Sequence, residues 1–246
     1  MGRRRKTPIY NRVILKLTGE IFVGLDEKGN RVDIDEEKAV VAAQEVKSIH
    51  DLGVQVAVVL GGGNIARGRN YGPNGRIKKE TWDFIGMKAT IQNGMAFNDV
   101  ISSCGMESKL MSALFINQVA EPYYYRVALN HLEKGRIVIL VGGTAMPNFT
   151  TDATAICRAC ELGADALLKG TKVDGIFDKD PMKFADALFL PQLTVEEARA
   201  LRPGVLEESA LVLNTRNKPI HVFNIFTKGN LRRLLLGEPI GSRIIF

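Results

Sequence analysis

The sequence predicts an α/β fold, a three-layer α/β/α sandwich around a mainly parallel sheet. Three observations predict it. Short β-branched runs such as Val54-Gln55-Val56-Ala57-Val58-Val59-Leu60 and Ile137-Val138-Ile139-Leu140-Val141 are nearly continuous in apolar residues rather than alternating, as strands buried on both faces are. Long helical patterns separate such runs, as crossovers between parallel strands require. Two of the runs end in glycines, at Gly61-Gly62-Gly63 and Gly142-Gly143. In such sheets ligands sit beyond the C-terminal strand ends.

Taken in order, Arg12-Val13-Ile14-Leu15-Lys16-Leu17 reads as the first strand. Residues 35–52, apolar at Val40, Val41, Val46, Ile49 and Leu52, read as an amphipathic helix closed by Gly53. A strand over 54–60, a helix over 83–104 and a strand over 109–116 follow. Then come a strand over 137–141, a helix over 152–162, a strand over 166–168, and a late strand over 221–225 before a helix over 229–236. Residues 178–190, with Asp180-Pro181, read as a long loop. No repeat or linker-like shift in composition interrupts the chain. Residues 10–246 are therefore expected to form one domain behind a basic tail at 1–9, dividing softly into two lobes near residue 160.

Composition narrows the function classes. The chain has 246 residues, 46% hydrophobic and 24% charged, which is ordinary globular usage. Its apolar runs fall far short of the roughly 18 to 20 residues of a membrane helix. The basic start leads into Thr7-Pro8 without an apolar segment, so it does not read as a signal peptide. Three cysteines, Cys104, Cys157 and Cys160, make no disulfide framework and suit a reducing cytoplasm. A net charge of +6 invites a nucleic-acid partner, yet Arg3, Arg4, Arg5 and Lys6 carry four of those charges, leaving +2 for the body. A short basic tail is more often a solvated arm, so nucleic acid is expected only through it, if at all.

The strand ends carry the chemistry. Gly61-Gly62-Gly63-Asn64 lets the backbone approach a ligand closely, a helix N-terminus behind it would offer N–H groups, and Arg67 supplies a forked cation for phosphate. The same residues also suit a tight strand-to-helix turn with a solvated arginine. The second glycine end runs into Thr144, then Thr150, Thr151 and Asp152 at a helix start, suited to a second anion or to plain N-capping by Thr151 or Asp152. Lys16, ending a buried strand, needs a partner, and phosphate is a natural one. Lys169, Thr171, Lys172 and Asp174 close a third strand, with Phe177 and Asp180 placed to cover and hydrogen-bond a nucleoside.

Several chemistries are absent. No Gly-x-x-x-x-Gly-Lys-Ser/Thr occurs, and the glycines do not fit Gly-x-Gly-x-x-Gly. His50, His131 and His221 are scattered, and no protein-held metal site is expected. Cys157 and Cys160 have CxxC spacing but lie inside a predicted helix, where two buried thiols are expected.

These segments, in this order, resemble the bacterial uridylate (UMP) kinases of the amino-acid kinase family. The resemblance runs from about Tyr10 to Ile240. It rests on Leu15-Lys16-Leu17-Thr18-Gly19-Glu20, Gly61-Gly62-Gly63-Asn64 with Arg67-Gly68, Asp83 with Gly86-Met87, Asn93-Gly94-Met95-Ala96 and Leu110-Met111-Ser112-Ala113. It continues through Phe149-Thr150-Thr151-Asp152, Lys169-Gly170-Thr171-Lys172-Val173-Asp174-Gly175, Asp180-Pro181 and Val222-Phe223-Asn224.

The resemblance implies phosphoryl transfer from ATP, with Mg²⁺, to UMP. Lys16, Arg67 and Asp152 would be catalytic, Asp152 orienting the lysine. Gly62, Arg67, Asp83, Thr144, Thr150 and Thr151 would bind UMP. Lys16, Thr18, Gly19, Gly63, Lys169, Thr171, Phe177 and Asp180 would bind ATP. It also implies a homohexamer built from dimers. The chain departs from the family pattern at Gly143-Thr144-Ala145-Met146-Pro147, where Gly-Thr-Gly-Asn-Pro is usual, and at Leu206-Glu207, where Met-Asp is common. Another member of the family with a different acceptor, or a non-catalytic nucleotide-binding relative, are the alternatives.

Overall fold

A computed structural model describes residues 7–66, 75–201 and 206–246. The elements in chain order are β1 (Arg12–Leu17), a 3₁₀ turn (Gly19–Phe22), β2 (Gly24–Leu25), β3 (Arg31–Val32), α1 (Glu36–His50), β4 (Gln55–Leu60) and α2 (Lys79–Ser103). Then follow β5 (Ser108–Ser112), β6 (Glu121–Pro122), α3 (Tyr125–Glu133), β7 (Ile137–Val141), α4 (Thr151–Glu161) and β8 (Ala166–Thr171). The chain ends with β9 (Ile176–Phe177), β10 (Phe189–Leu190), β11 (Gln192–Thr194), α5 (Val195–Ala200), α6 (Glu208–Leu213), β12 (Ile220–Asn224), α7 (Asn230–Leu235) and β13 (Ser242–Ile245).

Among the described residues nine strands form one sheet in the order β11-β13-β12-β8-β1-β4-β7-β5-β6. Only β12–β13 is antiparallel within it. Strand β1 pairs with β4 on one side and β8 on the other, so the two halves of the chain share one central strand. Alternate residues of these strands serve opposite layers. Leu15, Val58 and Ile139 pack with residues of α1, α2 and α7. Ile14, Ala57 and Leu167 pack with residues of α3, α4 and α6. Both layers are apolar, which is why the strands read as continuous runs.

The structure corrects several expectations. Among the described residues no helix starts directly behind Gly63: Ile65 and Ala66 donate to the Gly62 carbonyl in a tight turn, and α2 begins at Lys79. The strand expected at 109–116 ends at Ser112, because Ala113 N turns to the Val141 carbonyl and Leu114 N to Ser112 Oγ. The cap of α4 is Thr150, whose Oγ1 accepts from Ala153 N at 3.2 Å, not Thr151 or Asp152. Residues 178–188 are not a free loop but the connection of a small hairpin in which Phe177 pairs with Phe189. Cys157 and Cys160 are half-buried rather than buried. Helix α3 and the strands β11 and β13, at one side of the sheet, have no counterpart among the expected elements.

Candidate active site

Lys16 and Lys169 are direct register partners on β1 and β8. Each lies two residues past an apolar residue, Ile14 and Leu167, on the face covered by α4. The alternation that buries those apolar residues also aims both lysines under the start of α4. Asp152, in the first turn of that helix, stands between them. Its Oδ1 is 3.0 Å from Lys16 Nζ, and its Oδ2 accepts from Lys169 Nζ at 2.6 Å. All three residues are 7% exposed. Burial alone would raise the Asp152 carboxyl, but the Lys16 and Lys169 ammonium groups outweigh it and hold the group well below the usual carboxylate range. Burial pulls Lys169 below its ordinary value, with Asp152 opposing and Lys16 adding to the fall, while Glu207 lies close enough to exert a smaller opposing pull. As ions the trio carries one surplus positive charge in a desolvated setting, which an anion would neutralise.

The glycine ends flank this trio, since β4 lies directly beside β1 and β7 beside β4. Helix α2 grips both. Asn93, nearly inaccessible, donates from Nδ2 to the Gly61 carbonyl at 2.7 Å and exchanges amide hydrogen bonds with Asn64. Thr90 Oγ1 accepts from Gly142 N at 2.8 Å. Gly62 packs so closely on α2 that a Cβ there would lie 2.8 Å from the Ala89 Cβ and from the Gly86 carbonyl, whereas one at Gly63 would meet nothing within 4 Å. Beyond β7 the chain enters left-handed backbone at Gly142, Gly143, Ala145 and Asn148, with φ of 74°, 59°, 60° and 69°.

Asp83 joins α2 to that second loop. Its Oδ2 accepts from Asn148 N at 2.8 Å and from Lys79 Nζ at 3.0 Å, and Lys79 also donates to the Asn148 side chain. Thr144 Oγ1 accepts from Met146 N at 3.3 Å, inside the loop. Thr150 and Thr151 stand at the head of α4, directly before Asp152. Gly63, Gly62, Asp83, Thr144, Thr150 and Thr151 thus belong to one connected seam of β4, α2 and the β7–α4 loop.

On the other side of β1, Thr171 ends β8 two residues past Lys169, its hydroxyl donating to the Val173 carbonyl at 2.7 Å. Phe177 faces Phe189 edge-on in the hairpin, ring centres 5.4 Å apart. Asp180 caps the following turn by accepting from Met182 N at 3.0 Å. Thr18 and Gly19 enter the 3₁₀ turn directly behind β1, and Gly19 sits against Asn64 and the Gly61 carbonyl. Arg67 lies outside the described residues. Thr90 and Arg158 do not stand out in the sequence as site residues, and Asn64 and Asn93 enter only as parts of motifs. Thr90 and Asn93, facing the core from a helix, were the signal available.

Comparisons with known proteins bear on this geometry. The amino acid kinase family profile matches residues 11–224. The chain is 43% identical over 239 residues to a uridylate kinase of Methylococcus capsulatus, covering 97% of this chain and 98% of that one. The crystal structure of a UMP kinase from Bacillus anthracis is 36% identical and superposes with a TM-score of 0.86 over 96% of each chain. That of a UMP kinase from Ureaplasma parvum is 28% identical with a TM-score of 0.85, over 99% of this chain and 100% of that one. A sheet with paired lysines, two gripped glycine ends and matches of this extent have one explanation: the chain belongs to the amino acid kinase family.

Proposed function

We propose that the protein is a UMP kinase, transferring the γ-phosphoryl group of ATP to UMP to give UDP and ADP. The observation that carries it is the Lys16–Asp152–Lys169 trio at adjacent strand ends, flanked by two glycine ends, in a chain 43% identical to a uridylate kinase over almost its whole length. Phosphoryl transfer asks little covalent chemistry of a protein: positioning and charge neutralisation supply most of the rate. In this reading the P–O bond between the γ-phosphorus and the β,γ-bridging oxygen of ATP breaks as a UMP phosphate oxygen bonds to that phosphorus. Lys16 lies between donor and acceptor phosphates and Lys169 beside the donor, with Asp152 fixing both ammonium groups in place before substrate arrives. Preset charges of this kind need no reorganisation during the reaction.

The acceptor is read on the seam of β4, α2 and the β7–α4 loop. Gly62 offers its N–H, Arg67 its guanidinium and Asp83 its carboxylate to phosphate and ribose, with Thr144, Thr150 and Thr151 lining the rest. ATP is read on the β1–β8 side, with Gly63, Thr18 and Gly19 towards the phosphates and Thr171, Phe177 and Asp180 towards the nucleoside. Residues up to about 160 would then form the acceptor lobe and the remainder the ATP lobe of one domain, behind a tail at residues 1–9.

Among the described residues no group of three or more acidic, histidine or cysteine side chains could hold a metal. Both Asp152 oxygens face ammonium groups. The donor set therefore fits magnesium carried on the ATP phosphates with water completing its shell, where it would neutralise phosphate charge. No helix among the described residues is long and apolar enough to cross a membrane. We place the enzyme in the cytoplasm, in pyrimidine nucleotide synthesis, as a homohexamer, a state to which the exposed Met95, Phe115, Tyr124 and Tyr125 are suited. The test is ADP formation from ATP with UMP, CMP, dUMP and carboxylate acceptors in turn. UMP is expected to be preferred, and failure to phosphorylate UMP overturns the reading.

A further inference from the structure

Arg158 is a buried cation in the middle of α4 that none of the steps above uses. Its guanidinium is held on three sides. Nη1 donates to Glu161 Oε2 at 2.7 Å, the planar group lies 3.8 Å over the Tyr123 ring, and Nη2 donates to the Gly143 carbonyl at 3.1 Å. Tyr123 closes the set by donating its hydroxyl to the same Glu161 oxygen at 2.6 Å. A guanidinium with so few free rotations is a fixed anchor, and what it anchors is the glycine loop behind β7.

That loop needs anchoring. Four of the seven residues from 142 to 148 are left-handed, two of them not glycine. Such a conformation persists only where the surroundings over-determine it, and it tends to mark binding and catalytic loops. Thr90 holds the Gly142 N–H and Asp83 the Asn148 N–H. Between them Arg158 holds the Gly143 carbonyl from α4. A trans peptide is planar, with its C=O and N–H pointing opposite ways. Fixing the Gly143 carbonyl on α4 therefore aims the Thr144 N–H away from α4, to the outer side of the loop.

We propose that Arg158 is a positioning residue for the acceptor: by gripping the Gly143 carbonyl from beneath, it presents the Thr144 backbone N–H to the acceptor nucleotide without touching it. The inference rests on the reading of residues 142–151 as the acceptor side. It also ties acceptor binding to the trio, because Asp152 and Arg158 project from one helix.

The test uses the full chain with Arg158→Met, Arg158→Lys and Tyr123→Phe, read by steady-state kinetics and by hydrogen exchange of loop and helix peptides. Losing a charged hydrogen bond of this kind is expected to raise KM for UMP roughly tenfold in Arg158→Met, with KM for ATP within about twofold of wild type. Arg158→Lys, keeping charge but not the fork, should fall between, and Tyr123→Phe should shift KM for UMP in the same direction by less. Exchange should quicken in peptides covering 142–150 while those of α4 stay protected. Equal rises in both KM values, or a loop as protected in Arg158→Met as in wild type, overturn the proposal. A wild-type enzyme inactive on UMP sinks the functional reading instead, and loop exchange alone then decides the role of Arg158.

Discussion

At Asp152 a single carboxylate answers two ammonium groups, each only 7% exposed. Replacing it by asparagine leaves both cations facing each other in a desolvated layer. Asp152→Asn is expected to lose stability by about 3–5 kcal/mol, as broken buried pairs do, together with phosphoryl transfer. Urea unfolding at pH 7 measures the first and ADP release the second; a variant as stable as wild type would contradict the pairing. His221 gives a separate test. Burial first, and the Arg243 charge second, pull its ring from the ordinary 6.5 down to about 4, while Tyr10 Oη sits 2.9 Å from its Nε2. Because the unfolded chain binds this proton more readily, stability is complete above pH 6.5 and falls as the pH drops towards 4, by up to about 3 kcal/mol. Unfolding midpoints at pH 7 and 4.5 should converge in His221→Gln relative to wild type.

At the scale of elements, the seam between β4 and α2 separates a structural glycine from an open one. A methyl group at Gly62 would meet the Ala89 Cβ and the Gly86 carbonyl at 2.8 Å and Thr90 N at 2.9 Å, mostly helix backbone that cannot yield locally. Gly62→Ala should therefore cost about 1–3 kcal/mol, seen as a lower Tm. Gly63→Ala meets nothing within 4 Å and should stay within about 0.5 kcal/mol of wild type. If its KM for ATP rises while Tm holds, Gly63 acts through close approach of a ligand; an equal fall of Tm in both variants would contradict this packing.

At the scale of the molecule, the charge divides between the tail and the body. Arg3 to Lys6 supply four of the six net positive charges, and the first described main-chain contact is Ile9 N to the Leu235 carbonyl at 2.8 Å. A chain lacking residues 1–6 is expected to keep its Tm and its kcat, and to lose whatever salt-dependent affinity for DNA the full chain shows. A drop in kcat on removing the tail would show that it reaches the site.

Strands β1, β4 and β7 were legible because both their faces are apolar, and α1, β12 and α7 because their periodicity and flanking glycines are regular. Lys16, Asp152 and Lys169 stood out as charges at strand ends and a helix start, where burial demands partners. The resemblance implied that Asp152 orients Lys16, but that Lys169 shares the same carboxylate did not show, because it depends on β8 lying beside β1 in register, a contact across about 150 residues of chain. The same holds for Asn93 under Gly61, for Arg158 under Gly143, and for Glu45 of α1, which accepts from Gly229 N at 2.6 Å to cap α7. Helix α3 and the short strands β11 and β13 carried no readable pattern because short, half-exposed segments have little periodic signal. Local pattern thus determined the class of fold, the strand ends and the residue types that could hold phosphate. Which charge faces which, and which carbonyl is gripped, was decided by tertiary packing, since the energy of a buried charge or dipole depends on neighbours that sequence distance does not encode.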